Sequence, residues 1–559
     1  MWGCCDRVNE PCEMKSSLVL SLLATALPIL GQEKPFIFRG GVVNAASFTA
    51  NSLPGGGIAQ GSIFSIFGRL LGPVTPLQVS SFPLGKQLAG VSINLRQGST
   101  TLSAIPLFVL DSQINAILPS ATPLGDISLQ VSFNGQSSNW VPVRVVEHAP
   151  SVFTATGLGR GPGIFQNFVS AADQPLNSGT TPATPGQAGT LWLTGTGAIN
   201  GADGDTPPVG DLPYNVEIFV GDRPVTRKLY AGRAPAISGL DQFVFFIPDD
   251  VPTGCFVPVY VRVNGAVSNS TTMAIMPQGG VCSDAHNPIA AALVKGGKIV
   301  HGLLLRGTTS AGEFAGVDLA FSIDKAAVRA MEERGGQFAF DPFLAMPPQG
   351  ACTSYTMSGN ILTTGFQMSS GGRALDLGTL SVNSPDRNVP LTSIQAGLFN
   401  TVLGGGYPVG PPLFLSSGTP SLRASGGADG RSFDVPVPPG VSLAGANVDA
   451  LTAIDRTSAS NISWTAQAGV SAFVAGGVYD LPTNSSGLFL CVSAAGASSL
   501  RVPDYALANL PATRGVSDQG DARLFFGALP VLRETATPDQ IRIFSARQDL
   551  SVQAIRSVR

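Results

Sequence analysis

Two stretches of the chain carry the same short words in the same order at matched spacing. The first reads Gly61-Ser-Ile-Phe-Ser-Ile-Phe-Gly68, then Gln113-Ile-Asn115, Leu118-Pro119, Asn134-Gly135 and Ser138-Asn139. The second reads Gly189-Thr-Leu-Trp-Leu-Thr-Gly195, then Gln242-Phe243, Ile247-Pro248, Asn264-Gly265 and Ser268-Asn269. The step from Gln to Pro is the same in both copies (113 to 119, 242 to 248), as is the step from Gly to Asn (135 to 139, 265 to 269). An internal repeat fixes the architecture before any single motif does: the front half is two copies of one module.

The words themselves say which module. Val91-Ser-Ile-Asn-Leu95, Ile127-Ser-Leu-Gln-Val-Ser-Phe133 and Val141-Pro-Val-Arg-Val-Val146 alternate apolar with polar residues, as do Val216-Glu-Ile-Phe-Val220 and Val257-Pro-Val-Tyr-Val-Arg-Val263. A period of two is that of half-buried strands. Asn134-Gly135 and Asn264-Gly265 each sit between such runs, where a type I′ hairpin needs positive φ at both central residues. The chain has 67 Gly and 43 Pro, spread without a collagen-like period, which reads as punctuation between many short strands. The expected fold is all-β: tandem immunoglobulin-like sandwiches over 36–149 and 150–278, then a larger β-rich region over 285–559 with a short helix. Asp324 as cap, good helix formers over 326–334 and Gly335-Gly336 as terminator place that helix. A further helical turn is expected within 502–511. The Pro- and Gly-rich join, Ala149-Pro-Ser-Val-Phe153 followed by Gly159-Arg-Gly-Pro-Gly163, favours a fixed angle between the modules.

Residues 1–31 read as a leader. Lys15 followed by an apolar run over 18–30 has the make-up of a secretory signal peptide spanning 14–31, with Met14 as the expected start and 1–13 as an upstream extension. Removal of this leader leaves four cysteines: Cys255, Cys282, Cys352 and Cys491. An even count in an exported chain points to two disulfides. Three pairings are possible, of which Cys255–Cys282 with Cys352–Cys491 is favoured. After the leader, no stretch is long enough to span a membrane. The net charge of -3 gives no electrostatic case for binding nucleic acid or an anionic membrane.

The repeat vocabulary resembles a family. Asn44-Ala-Ala-Ser47, Gly61-Ser-Ile-Phe-Ser-Ile-Phe-Gly68, Gly90-Val-Ser-Ile93, Gln113-Ile-Asn115 and Ser138-Asn139, with Tyr230-Ala-Gly232, Ala234-Pro235, Gly239-Leu240 and Gln242 in the second copy, are similar to the Solibacter-type uncharacterised C-terminal domain family of exported bacterial proteins. The resemblance covers about residues 40–278 and departs at Asp241, where the family often has an aromatic, and at the proline-rich turn after Leu71-Gly72. It implies immunoglobulin-like modules of the IPT/TIG kind and an extracellular setting. It implies no activity.

Candidate sites are sparse. Asn200, Asp203, Asp205 and Asp211 crowd one loop, and oxygen-rich loops can hold calcium. A solvated turn explains them as well, and no other cofactor is indicated. Trp464, in Asn461-Ile-Ser-Trp-Thr465, is the candidate exposed platform for a sugar ring, whereas Trp192 lies in an alternating strand and reads as core. Gln113 and Gln242 read as amides bonding loop backbone. There is no Gly-x-Ser-x-Gly, His-Glu-x-x-His or Walker motif, and the only histidines are His148, His286 and His301. The leading expectation is an exported, non-enzymatic protein in surface adhesion or extracellular scaffolding. The alternative is a carbohydrate-binding protein for polysaccharide capture, so the expected partner is a surface polysaccharide or an extracellular protein. A hydrolase with an unrecognised site in 285–559 ranks third.

Overall fold

The computed structural model describes residues 33–559 apart from 236, 315–316, 361–371, 407–409, 417 and 514–519, so the leader and its expected start lie outside the described residues. The chain is all-β, with tandem sandwiches followed by a large C-terminal sheet. In the first sandwich, Phe36–Asn44, Ile63–Arg69, Gln113–Ile117, Thr100–Val109, Val91–Gln97, Gly125–Phe133 and Val141–Val146 are successive neighbours. Thr100–Val109 slips register between Pro106 and Phe108, and this one strand pairs into both faces of the sandwich. The alternation read from sequence is realised: Val91, Ile93 and Leu95 point inward and meet Ile127, Leu129 and Val131 in one core. The second sandwich splits into two sheets, one built on Ala188–Thr194 and Asp241–Phe246, the other on Val216–Val220 and Gly254–Val263. Both hairpins carry the expected left-handed pairs, with φ of 48° and 81° at Asn134 and Gly135, and 46° and 87° at Asn264 and Gly265.

The repeated Ser-Asn pair explains why each module closes. Ser138 Oγ accepts the Val131 N–H at 3.0 Å and donates to the Asn139 carbonyl at 2.8 Å, pinning the end of the hairpin. Asn139 then reaches back across 102 residues: its Oδ1 accepts the Ile37 N–H at 2.8 Å and its Nδ2 donates to the Ile37 carbonyl at 3.2 Å. The second module repeats this atom for atom. Ser268 holds Val261 and the Asn269 carbonyl, and Asn269 takes both the N–H and the C=O of Val152 at 2.8 and 3.0 Å. A carboxamide matches a backbone peptide donor for acceptor, so it can replace a missing strand neighbour where the first strand starts.

The C-terminal region is organised by an 11-stranded sheet. Its order runs Ala351–Ser358, Ser485–Val492, Ala472–Asp480, Gly520–Ala528, Arg542–Ala554, Gly297–Phe314, Val317–Glu333, Leu398–Gly405 and Ser393–Gln395, with two short strands off this path. A four-stranded sheet covers one face through Leu380, Val382, Leu422 and Val435. The helix expected over 326–334 is a strand. Residues 326–329 pair on one side with Gly297–Phe314 and on the other with Leu398–Gly405, and Ala326, Val328 and Ala330 are buried at every second position. Burial between two strands overrides the helical propensity of alanine, methionine and glutamate. Asp324 caps nothing: it is buried and receives Arg306 at 2.8 and 2.9 Å and the Leu415 N–H at 2.7 Å. The helix forms instead over Pro288–Lys295, with Pro at its start and Gly296 just past its end. Asp504–Leu507 supplies the expected helical turn.

The modules are locked to one another. At the first joint, Thr194 Oγ1 accepts the Ile63 N–H and donates to the Gly239 carbonyl, and Asp203 receives both the N–H and the hydroxyl of Ser120 at 2.9 and 2.6 Å. Beneath it lies a fully buried ion pair, Arg233 to Asp241 at 2.5 Å, with Arg233 also bonded to the Gly197 carbonyl. Gly61 has φ of +69°, and a Cβ there would meet Arg233 Nη2 at 3.0 Å, so this position of the repeat word has no room for a side chain. At the second joint the Asp504–Leu507 turn docks on the second sandwich: Tyr505 stacks on Phe219 with centroids 4.3 Å apart, and Asp504 pairs with Arg262 at 2.8 Å. Both disulfides of the favoured pairing are present, Cys255–Cys282 beside the helix and Cys352–Cys491 across directly opposed strand residues.

Asp222 sits in that second joint, accepting the Cys352 N–H at 2.8 Å and the Tyr505 hydroxyl at 3.1 Å. Desolvation pushes its carboxyl up to about 7, against the opposing pull of those hydrogen bonds. The folded state therefore holds a proton that the unfolded chain has released, so this group's contribution is complete below the unfolded pKa and is lost as pH rises from about 4 towards 7. Asp222→Asn keeps the acceptor for Cys352 and removes the titration. The variant is expected to gain stability relative to the parent as pH rises through that window, by an amount on the order of a few kcal/mol. Thermal melts at the two ends of the window check it, and parallel profiles contradict it. Asn269→Ala strands the buried Val152 N–H and is expected to cost about 1–3 kcal/mol in denaturant unfolding.

Candidate functional site

The second face of the C-terminal sheet is where a site forms. In Ala472–Asp480, Ser485–Val492 and Gly520–Ala528, one set of alternate residues (Val474, Val478, Phe489, Leu524 and Phe526) packs into the C-terminal core. The other set is also apolar: Phe473, Ala475, Leu488, Leu490 and Phe525. Strands apolar on both faces need a covering layer on each side. Here the second layer is incomplete. The segments at Phe343–Met346 and Leu529–Leu532 and the start of the Pro288–Lys295 helix wall off a cavity of 260 Å³, and Leu303, Leu305 and Leu550 extend its floor.

Few polar groups reach this cavity. Asn287 donates its amide to the Leu344 carbonyl at 2.7 Å, and Gln548 donates to the Ala528 carbonyl at 3.3 Å, so both serve the walls. His286 lies at the exposed rim within 3.4 Å of the Gln349 amide. His301 projects from Gly297–Phe314 into the cavity, and its ring nitrogens have no hydrogen-bond partner among the described residues. Enclosure by protein pushes its imidazole down to about 4, with the positive charge of Arg329 adding to the effect. Arg329 is itself held by Asp341 at 2.7 Å and Glu333 at 2.8 Å. The cavity thus offers apolar walls and one uncharged imidazole.

The sequence candidates fall elsewhere. Trp464 is no platform: it is 5% exposed and packs 5.6 Å from Phe526 in the C-terminal core, because strands remote in sequence close over it. Trp192 is held in its strand by an Nε1 bond to Gln166. The acidic loop is not brought together around one point. Asp203 is bound to Ser120, Asp211 accepts the Ala231 N–H, Asp205 offers its backbone carbonyl to Ser238, and Asn200 is exposed. Among the described residues no three His, Cys, Asp or Glu side chains converge as metal ligands. The donor set does not fit calcium. Gln113 bonds Asn115 within its own strand. Glu332 and Glu333 point to opposite sides of a strand, one to Arg373 and the other to Arg329. The cavity escaped the sequence reading, although two adjacent strands with apolar residues on both faces were its visible signal.

No protein-family model matches the chain, and no curated protein matches it. The resemblance to the Solibacter-type family keeps only its immunoglobulin-like component. Among solved structures the chain is similar to an SGBP-B from a complex xyloglucan utilization locus in Bacteroides uniformis, at 12% identity over 66% of this chain and 86% of that one, with a TM-score of 0.16. An SGBP-B from the mixed-linkage glucan utilization locus of Bacteroides ovatus matches at 10% identity over 77% and 90%, with a TM-score of 0.13. Domains A168–A170 of titin match at 8% identity over 69% and 94%, also with a TM-score of 0.13. Scores this low carry no argument about arrangement or ligand.

The lowered pKa of His301 has a measurable consequence. A folded pKa below the unfolded value of about 6.5 means stability present above that pH and lost as pH falls towards 4. His301→Leu is expected to flatten that acid limb, by roughly 2–3 kcal/mol at its lower end. An unchanged acid limb in paired melts of parent and variant contradicts the assignment.

Proposed function

We propose that this protein acts outside the cell as a non-enzymatic scaffold: two sandwiches hold a C-terminal binding region at a fixed angle, in surface adhesion or surface assembly. The observation that carries this reading is the construction of the joints. Each is closed by hydrogen bonds between modules, and the first is underlain by the buried Arg233–Asp241 pair. Relative motion is the default between domains, and the stacking of Tyr505 on Phe219 adds an apolar contact to these bonds at the second joint. Two disulfides fit an oxidising compartment. No helix among the described residues is long and apolar enough to cross a membrane. The cavity lining is mostly apolar, as a binding surface for an apolar ligand would be.

Deletion of the gene is expected to reduce adhesion or disturb surface assembly, with recovery when the chain is restored. A deletion strain indistinguishable from its parent in both contradicts the proposal. Incubating purified residues 32–559 with insoluble and soluble polysaccharides covers the neighbouring case. Retention on one polymer without released sugar would assign polysaccharide capture in place of adhesion. Released sugar that depends on one carboxylate would assign a hydrolase.

A further inference from the structure

We propose that the cavity over the C-terminal sheet binds an uncharged amphiphile, with its apolar chain along the Leu and Phe floor and its single hydrogen-bonding end at His301. Size is the first argument. An apolar cavity of about 150 Å³ stays dry and takes up a molecule such as benzene, and this one measures 260 Å³. The cavity is open to solvent, but water lying against these walls finds few polar partners on the protein, so an apolar ligand that displaces it is favoured. Of the polar side chains at the cavity, Asn287 and Gln548 each donate an amide N–H to a backbone carbonyl, and His286 sits at the rim beside Gln349.

The second argument is the unpartnered imidazole. His301 is half-buried at the cavity, and no described residue hydrogen-bonds its ring, so the imidazole is free to meet a ligand there. A neutral imidazole carries one donor and one acceptor, which suits a hydroxyl, ester or amide. Charge is the third argument. Arg329, the nearest cation, is neutralised by Asp341 and Glu333, so a carboxylate head would lose its hydration with no counter-ion to meet it. A sugar fits no better, since its many hydroxyls would face a lining that is mostly leucine and phenylalanine. The floor opens to solvent past the half-buried Phe473, Leu305 and Leu550, which gives a ligand its way in.

This proposal rests on the C-terminal region being the binding part of the scaffold, and the two can fail separately: the deletion phenotype tests the scaffold, and the following titration tests the cavity alone. The probe is N-phenyl-1-naphthylamine, a neutral apolar fluorophore, titrated into the full chain at about pH 8, where histidine is uncharged, and then displaced with 1-decanol or decanoate. The expected result is saturable one-to-one binding, displaced by decanol at roughly tenfold or more lower concentration than by decanoate. Ala475→Phe, which fills the floor, is expected to abolish probe binding with an unchanged circular dichroism spectrum. Should that variant fail to fold, Leu305→Phe at the half-buried rim takes its place. His301→Leu is expected to weaken decanol by about tenfold while leaving the probe's own affinity in place. Absence of saturable binding, binding that survives the filling variant, or a preference for decanoate would each overturn the proposal.

Discussion

A first strand that begins at the edge of a sandwich has peptide groups with no strand beside them, and the rest of this molecule depends on how that gap is closed. In both modules one asparagine side chain supplies the missing peptide, accepting from and donating to Ile37 or Val152. The serine before it fixes where that asparagine stands. Because the contact spans more than a hundred residues, it forms only when the whole module has folded, and it fixes the module's ends relative to each other. Those ends are where the neighbouring modules attach. In the second module Asn269 also bonds the Gly159 carbonyl, so the same side chain that closes the sandwich holds the segment leading away from its first strand.

Fixed ends make sealed joints possible, and the sealing is electrostatic as much as apolar. Arg233 and Asp241 are taken out of water beneath the first joint, a placement that is expensive unless both charges are fully met. Most of their hydrogen bonds are made: Asp241 also accepts the Thr196 N–H, and Arg233 donates to the Gly197 carbonyl, while Arg233 Nε finds no partner among the described residues. Losing either partner would leave an uncompensated charge, so the pair behaves as a condition on the joint's geometry. At the second joint, besides the Asp504–Arg262 pair, the carboxyl of Asp222 lies between a cystine strand and a tyrosine of the docking turn. Desolvation raises its pKa, which ties the firmness of that contact to pH.

What the sequence made legible is what local chemistry decides. Asn134-Gly135 and Asn264-Gly265 announce their turns because positive φ is a property of those residues, and the alternation from Val91 onward announces its strand because a sandwich has one inside. The segment over 326–334 is the opposite case. Its alanines, methionine and glutamates prefer helix, and only the two strands that flank it in space overrule them. Trp464 sits among serines and threonines and looks exposed, but the ring that covers it, Phe526, lies far along the chain. The acidic loop looked like a metal site because its residues are close in sequence, yet the Asp203 and Asp211 carboxylates turn to different partners, Ser120 and the Ala231 N–H. The helix at Pro288–Lys295 was legible in principle, from Asn287-Pro288 before it and Gly296 after it, and it positions one wall of the cavity.

The central claim is that three β modules form one rigid body. Small-angle X-ray scattering of the purified oxidised chain at neutral pH tests it most directly. The account predicts a single concentration-independent profile that the coordinates reproduce with all modules fixed in place. A profile that fits only a spread of inter-module angles would contradict it.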